Sequence, residues 1–418
     1  MDERSKRKKR ISTKVWVRIL AGFLALTLAL FIIMIDLTRV KINTETDNEA
    51  NNAAATLLAE RTEYIEKNVF ARAGDVITNV FTTPKTFSSY YMLASIQIGQ
   101  NKYEQALVNI ERCLAQYRGD DLSILDDLWM KKGCLQTLQD DYHGALISFS
   151  NISDIGRDTP EILRIKIQIY IETQDLPNAK IALLTYLNEA PSDLNMRTLL
   201  AEVYYLNGNY KLGAAQYTYL IKATGDSDGS LHFMRGMLRS QQGDYEPAIA
   251  DFVYAVGADF EDPAACCEQQ ALCYYMLEKN ELTLSLGKKA IDIGSDNIDP
   301  ANLYKFMGLS ALTLGYYAES SEHFSEAIAH DSTIKDLHFY RGVARMGDSE
   351  FTLAIEDFSA SINADQMSTS CYYNRAICYI QVEDFGAAKS DLSKVAEQSV
   401  DTALADSAEE LLCQLNDM

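Results

Sequence analysis

The stretch Tyr304–Leu337 reads YKFMGLSALTLGYYAESSEHFSEAIAHDSTIKDL, and its small and aromatic residues decide the fold. Gly308 is followed nine positions later by Tyr317 and three after that by Ser320, with Phe324 and Ala327 completing the set. The pattern recurs nine times between Ser88 and Gln398, at a period of about 34 residues. Its first small slot holds Ala94, Gly133, Ile167, Ala201, Gly236, Ala271, Gly308, Gly342 and Ala376. The second holds Ala106, Ala145, Ala179, Gly213, Ala248, Thr283, Ser320, Ala354 and Ala388. The aromatic slot holds Tyr103, Tyr142, Tyr210, Tyr245, Tyr317, Phe351 and Phe385, with Leu176 and Asn280 as departures. A further apolar slot carries Phe149, Leu183, Tyr217, Phe252, Phe324, Phe358 and Leu392. A period in this range implies stacked helical units rather than a globular enzyme.

Each unit is read as two antiparallel helices. Small residues sit where the paired helices cross, at the ~8–10 Å separation of helix packing. Aromatics enter beside the turn and cover the crossing. The turns show as Asp-Asp-Tyr at 140–142, Gly-Asn-Tyr at 208–210, Gly-Asp-Tyr at 243–245 and Gly-Tyr-Tyr at 315–317. With Trp129, Gly133, Tyr142, Ala145 and Phe149 in the second unit and Pro191 closing the third, the chain resembles the tetratricopeptide repeat family. The resemblance covers residues 87–400, about three quarters of the chain. It implies an all-α, right-handed superhelical solenoid of about nine repeats. Only 7 prolines and no sustained strand alternation agree with an all-α class. The sixth repeat departs from the pattern at Asn280, Thr283 and Gly287 and precedes a longer connection, so a softer joint is expected there.

The N-terminus carries the second message. Residues 1–14 hold seven basic and two acidic side chains. Residues 15–35 then contain Arg18 as their one charge. Twenty-one residues at ~1.5 Å rise cover roughly 31 Å, matching a ~30 Å hydrocarbon core. Trp16 and Arg18 fall at the membrane interface, where Arg18 can snorkel. A cleavable signal peptide is the rival reading. Its apolar region runs only ~7–15 residues and ends in small residues, whereas this one ends Ile32-Ile33-Met34-Ile35-Asp36. An uncleaved single-pass anchor is therefore expected, with a basic cytoplasmic tail at 1–14 and the repeats outside, in a bacterium in the cell-wall or periplasmic space. Residues 36–86 read as a linker and helical stalk, helix-like from Ala53 to Val80, that packs on the first repeat. Residues 401–418 read as a capping helix for the last apolar face.

Charge and inventory sort the functions. The net charge is −21, and the basic tail with Arg18 leaves −27 on the remainder. Such a surface repels nucleic acid and anionic lipid and favours basic partners, although a solvated outer face explains the acid equally well. Eight cysteines lie in the expected outer region. Cys266/Cys273 and Cys371/Cys378 are each seven apart on one helix, about 10.5 Å by helical rise and beyond the ~7 Å limit for a bridge. Core thiols are the first reading, and a Cys113–Cys134 bridge stays open. The histidines, His143, His232, His323, His330 and His338, read as surface residues without ligand-spaced partners. No P-loop, dinucleotide fingerprint or nucleophile elbow occurs. No catalytic, metal or cofactor site is expected, and no small-molecule substrate.

What remains is the concave groove that the family resemblance implies, lined by the first helix of each repeat. The lining positions fall three before, one after and four after the first small slot. They give Tyr91, Ser95 and Ile98 in repeat 1; Met130, Cys134 and Thr137 in repeat 2; Arg164, Gln168 and Ile171 in repeat 3; Thr198, Glu202 and Tyr205 in repeat 4. Repeats 5 and 6 follow with Phe233, Met237 and Ser240, then Glu268, Leu272 and Tyr275. The last three repeats form an apolar strip broken only by Lys305: Leu309, Leu312, Phe339, Val343, Met346, Tyr373, Ile377 and Ile380. With Tyr91, Phe233 and Met237, these are the candidate partner-binding residues, suited to an apolar peptide or amphipathic helix. Packing of the strip against the capping helix or the next coil is the competing account. The Lys/Asn clamp by which some family members take C-terminal carboxylates is missing at these positions. The expected function is a non-catalytic, membrane-anchored scaffold that holds a protein or peptide partner during secretion, envelope or complex assembly. A regulatory or sensor subunit of a membrane enzyme, and a cytosol-facing organellar receptor or co-chaperone, are the alternatives.

Overall fold

Alternating first and second helices follow one another among the described residues of the computed structural model, which are 50–59 and 86–416 apart from 155, 226, 259, 335, 365–367 and 399–401. The pairs are α1 (Phe87–Gly99) with α2 (Tyr103–Gln116), α3 (Leu122–Thr137) with α4 (Tyr142–Ser150), and α5 (Pro160–Glu172) with α6 (Leu176–Glu189). Next come α7 (Leu194–Leu206), the last helix of one compact unit, and α8 (Tyr210–Thr224), the first of another; then α9 (Gly229–Gln242) with α10 (Tyr245–Gly257), and α11 (Pro263–Met276) with α12 (Asn280–Ile293). The last are α13 (Pro300–Leu314) with α14 (Tyr317–His330), α15 (Leu337–Gly347) with α16 (Phe351–Asn363), and α17 (Ser368–Gln381) with α18 (Phe385–Gln398). A final helix, α19 (Thr402–Asn416), packs on α18, with Ala408 and Leu415 buried against Leu392 and Val395. The expected anchor at 15–35, its basic tail and residues 60–85 of the stalk lie outside the described residues. Among the described residues no helix is long and apolar enough to cross a membrane.

Every second helix starts at the aromatic slot, including the departures Leu176 and Asn280. Two residues before it stands a left-handed residue in all nine turns: Asn101, Asp140, Gln174, Gly208, Gly243, Glu278, Gly315, Ser349 and Glu383, with φ between 57° and 89°. Only three of these are glycine, so the turn geometry recurs where the residue does not. Each non-glycine member carries the Cβ penalty of that conformation.

Part of the acidic excess has a local task. Asp121, Asp141, Asp175, Asp193, Asp228, Asp262, Asp299 and Asp384 each accept a backbone N–H at a helix start, at 2.9–3.3 Å. These caps satisfy orphan donors and place negative charge at the positive end of the helix dipole.

The small slots have a tight geometric cause. A Cβ added to Gly133, Gly236, Gly308 or Gly342 would meet the ring of Phe149, Phe252, Phe324 or Phe358 at 2.5–2.9 Å. In these four repeats the second helix brings a phenylalanine and the first answers with glycine. Where the apolar slot is Ile110, Leu183, Tyr217 or Leu392, the first small slot is Ala94, Ile167, Ala201 or Ala376. The sixth repeat inverts the arrangement. Its second helix carries Gly287, and the Met307 side chain of the next repeat fills the space, with Sδ 2.6 Å from where a Cβ would stand. Cys267, Ala271, Ala290, Leu303 and Met307 form one buried cluster there. The expected soft joint is therefore a packed one.

The chain divides into two compact units at Asn207/Gly208, inside the fourth repeat rather than at the sixth. In the second unit, successive first helices touch one another (α9 with α11, α11 with α13, α13 with α15, α15 with α17), while second helices do so far less. The first helices therefore form the inner row. The repeats are also tied by charge. Arg235, Arg341 and Arg375 each make a two-point bond from a first helix to the buried Asp251, Asp357 or Asp391 of the second, with shortest distances of 2.7, 2.6 and 2.7 Å. The same guanidinium reaches back to Thr218, Ser325 or Ser359 of the preceding repeat. Arg239 and Arg345 add a second cation to Asp251 and Asp357, each at 2.8 Å. Planar two-point pairing satisfies a buried carboxylate that would otherwise be costly.

Candidate functional site: the concave groove

The groove positions behave differently along the chain. In repeats 7–9, Leu309, Leu312, Phe339, Val343, Met346, Tyr373, Ile377 and Ile380 are all half-buried. Several also pack on the core beneath them. Phe339, Val343 and Met346 lie against the Ala354–Phe358–Cys371 cluster, with the Phe339 and Phe358 rings 6.0 Å apart. Tyr373 and Ile380 lie against Ala376, Ala388 and Leu392, and Leu309 against Phe324 and Ala327. Leu312 and Ile377 belong to none of these three clusters. The strip is thus a semi-exposed apolar seam, continuous with the core rather than standing free of it. In repeat 5, Phe233 stacks on Phe260 at 4.7 Å, and Met237 packs in the same cluster.

Repeats 1–3 differ. Tyr91 is half-buried, and its hydroxyl donates to Asp127 at 2.6 Å while accepting from the buried Lys131 at 3.1 Å. Met130, Cys134 and Thr137, the three groove positions of repeat 2, are all buried, at 5, 0 and 0 % exposure. Ile98 and Gln168 on either side are buried too. The cover lies in the chain itself: residues 50–59 form a helix whose Ala50, Ala54, Leu57 and Leu58 are buried in one cluster with Ile98, Met130, Cys134, Ile165 and Ile169. The Ala50 N–H donates to Glu172 Oε1 at 3.2 Å, and Asn51 Nδ2 to Asp140 Oδ1 at 3.1 Å. This helix therefore reaches repeats 2 and 3, beyond the first repeat expected for the stalk. The helix-like reading began at Ala53, whereas helix is present from Ala50, and nothing in the sequence named the surface it would meet.

Two further groups depart from the sequence reading. His232, expected at the surface, is buried, because it lies one turn before Arg235 on the side that faces Asp251; its ring stacks on Tyr254 at 4.0 Å. Glu268, a groove position, is buried and accepts the Asp299 N–H at 2.7 Å. Burial raises its carboxyl above the ordinary range, and neighbouring Asp299 and Asp262 add to the rise against the bonds from Asp299 and Gln269. Seven cysteines are free and buried, and Cys413 is free and exposed. Cys113 and Cys134 are unbridged. Burial pushes the Cys113, Cys266 and Cys378 thiols up to about 12, which keeps them protonated and unreactive.

Other surfaces compete for attention. A polar cavity of about 520 Å³ between α14 and the α15–α16 turn is lined by Ser321, Glu322, Arg345 and Asp348 and by no residue of the strip. Among the described residues no cluster of three or more His, Cys, Asp or Glu side chains could hold a metal ion. Val108, Ile147 and Ile181, each two residues after the second small slot in repeats 1–3, are more exposed than the strip, at 46, 50 and 59 %.

Residues 87–118 match the tetratricopeptide repeat family. No curated protein matches the chain. Its fold is similar to solved structures of low sequence identity. One is YrrB, described as a tetratricopeptide repeat protein with an unusual peptide-binding site, at 20 % identity and a TM-score of 0.42, covering 46 % of this chain and 97 % of YrrB. Another is a tetratricopeptide repeat protein from Parabacteroides merdae, at 16 % identity and a TM-score of 0.37, covering 62 % and 98 %. PilF of Pseudomonas aeruginosa, at 12 % identity and a TM-score of 0.40, covers 52 % and 96 %. The family match falls on α1 and α2, and the slots of that pair recur along residues 122–398.

Proposed function

We propose that the chain is a non-catalytic, membrane-anchored scaffold built from nine tetratricopeptide repeats, which holds an apolar or amphipathic protein segment in its groove over repeats 7–9. One observation carries the reading: eight apolar side chains at groove positions of three consecutive repeats remain half-buried, while the equivalent positions of repeat 2 are buried under a helix. Groove positions that accept a helix in the first unit and stay open and apolar in the second suit helix-in-groove recognition. The basic tail and the apolar run 15–35 support a scaffold held at a membrane with its repeats outside, serving the assembly of secretion or envelope complexes.

The test is partner capture from membranes. Changing Phe339 and Tyr373 to Ala weakens capture on this account. Both rings also pack on core, so Leu312→Ser with Ile377→Ser is the parallel variant. Undiminished capture by both variants, with helical content intact, defeats the proposal. A second reading, docking on the outer row Val108, Ile147 and Ile181, draws on the greater exposure of those residues.

A further inference from the structure

The helix at residues 50–59 lies in the groove of repeats 1–3 in the manner of a bound peptide. Its buried residues, Ala50, Ala54, Leu57 and Leu58, recur at i, i+4, i+7 and i+8 and so make one face. Thr56 and Ala59, on the other side, are exposed. Alanines let the helix approach closely, and the leucines fill the deeper space. Its Ala50 N–H donates to the Glu172 carboxylate of the third repeat at 3.2 Å. The site it fills spans the thinnest junction of the first unit, where α4 has 9 residues against 13–15 in the other second helices.

We propose that residues 50–59 are an intramolecular ligand. The groove of repeats 1–3 is a helix-binding site that the chain's own segment holds, and it takes in exchange an amphipathic partner helix with small residues at i and i+4 and leucines at i+7 and i+8. The inference rests on groove positions being a binding surface, but in the first unit rather than the second. Leaving the groove exposes Ala50, Ala54, Leu57 and Leu58, and a partner helix of the same pattern restores that burial. Tethering gives it an effective concentration in the millimolar range. A free helix therefore competes poorly until the tethered one is weakened.

The experiment uses the detergent-solubilised full chain and a fluorescent synthetic peptide with the sequence of residues 46–61. Leu57→Asp with Leu58→Asp expels the tethered helix. The peptide should then bind saturably and at least about tenfold tighter than it binds the parent chain. Cys134, buried in the parent, should react faster with iodoacetamide in the variant and be protected again by saturating peptide. A peptide carrying the same two aspartates should not bind. If the double variant loses helical content, Ala54→Leu, which crowds the helix against the groove, serves with the same readouts. Absence of peptide binding by a helical variant, or equal binding by variant and parent, overturns the proposal and leaves the segment a structural staple. Partner capture through Leu312 and Ile377 is read separately, so either reading can fail alone.

Discussion

Gly342 illustrates what holds each repeat together. Glycine inside a helix normally costs about 0.5–1 kcal/mol relative to alanine, so Gly→Ala would stabilise an ordinary helix. Here the new Cβ would stand 2.8 Å from the Phe358 ring. Gly342→Ala should therefore destabilise by about 1–3 kcal/mol through overpacking. Gly342→Ala with Phe358→Leu should recover most of the loss, because it recreates the Ala376–Leu392 pairing of repeat 9. Thermal melts of the single and double variants decide it: additive losses contradict the complementarity. Glu268 gives a pH-dependent counterpart. Its carboxyl is raised by burial, so ionisation at neutral pH costs stability, and that cost disappears as pH falls through the raised value toward 4.5. Glu268→Gln keeps an acceptor for the Asp299 N–H without the charge. It should raise the melting temperature at pH 7, with the gain closing at lower pH; a gain that persists at pH 4 contradicts the assignment. The slots themselves were legible in the sequence. Their coupling was not, because it joins residues 16 positions apart, such as Gly342 with Phe358, on two helices.

At the scale of the helix, the pairing repeats a turn rather than a residue. Glu278 holds φ at 58° without the freedom of glycine. Glu278→Gly should stabilise the sixth repeat by about 0.5–1 kcal/mol, the difference between the Cβ strain and the entropy of glycine. A loss of stability in urea unfolding would show that the side chain matters more than the turn. Asp357 carries the opposite expectation. Its removal strands Arg341 and Arg345 beside His338, and Asp357→Ala should cost about 3–5 kcal/mol, as for other broken buried pairs. Amide exchange should show α15 and α16 opening first; an unchanged melt contradicts the role given to the pair. Helix starts could be read from the aromatic slot alone. The Arg–Asp ties could not, although an arginine before the small slot and an aspartate sixteen residues later recur in repeats 5, 8 and 9. Each looks like a solvated charge until the second helix folds back on the first.

For the whole chain, nine repeats and a basic, apolar N-terminus are legible in the sequence, and the described residues add a helix covering the groove positions of repeats 2 and 3. Of the 59 acidic residues, read either as a partner signal or as a solvated face, eight aspartates cap helices. The semi-exposed strip emerged from register alone, but its partial burial depends on neighbouring repeats and could not be foreseen. Topology has a clean probe, since Cys413 is exposed and the other seven cysteines are buried. A membrane-impermeant maleimide applied to intact cells should label the chain at Cys413, and Cys413→Ser should abolish the label. Labelling only after lysis would place the repeats on the inner side. The central claim is that a partner segment lies along the groove of repeats 7–9. Photo-crosslinking in native membranes tests it most directly, with benzoylphenylalanine at position 312, 377 or, on an outer helix, 181. The account predicts a common crosslinked partner from 312 and 377 and none from 181; crosslinks from 181 with none from 312 and 377 would contradict it.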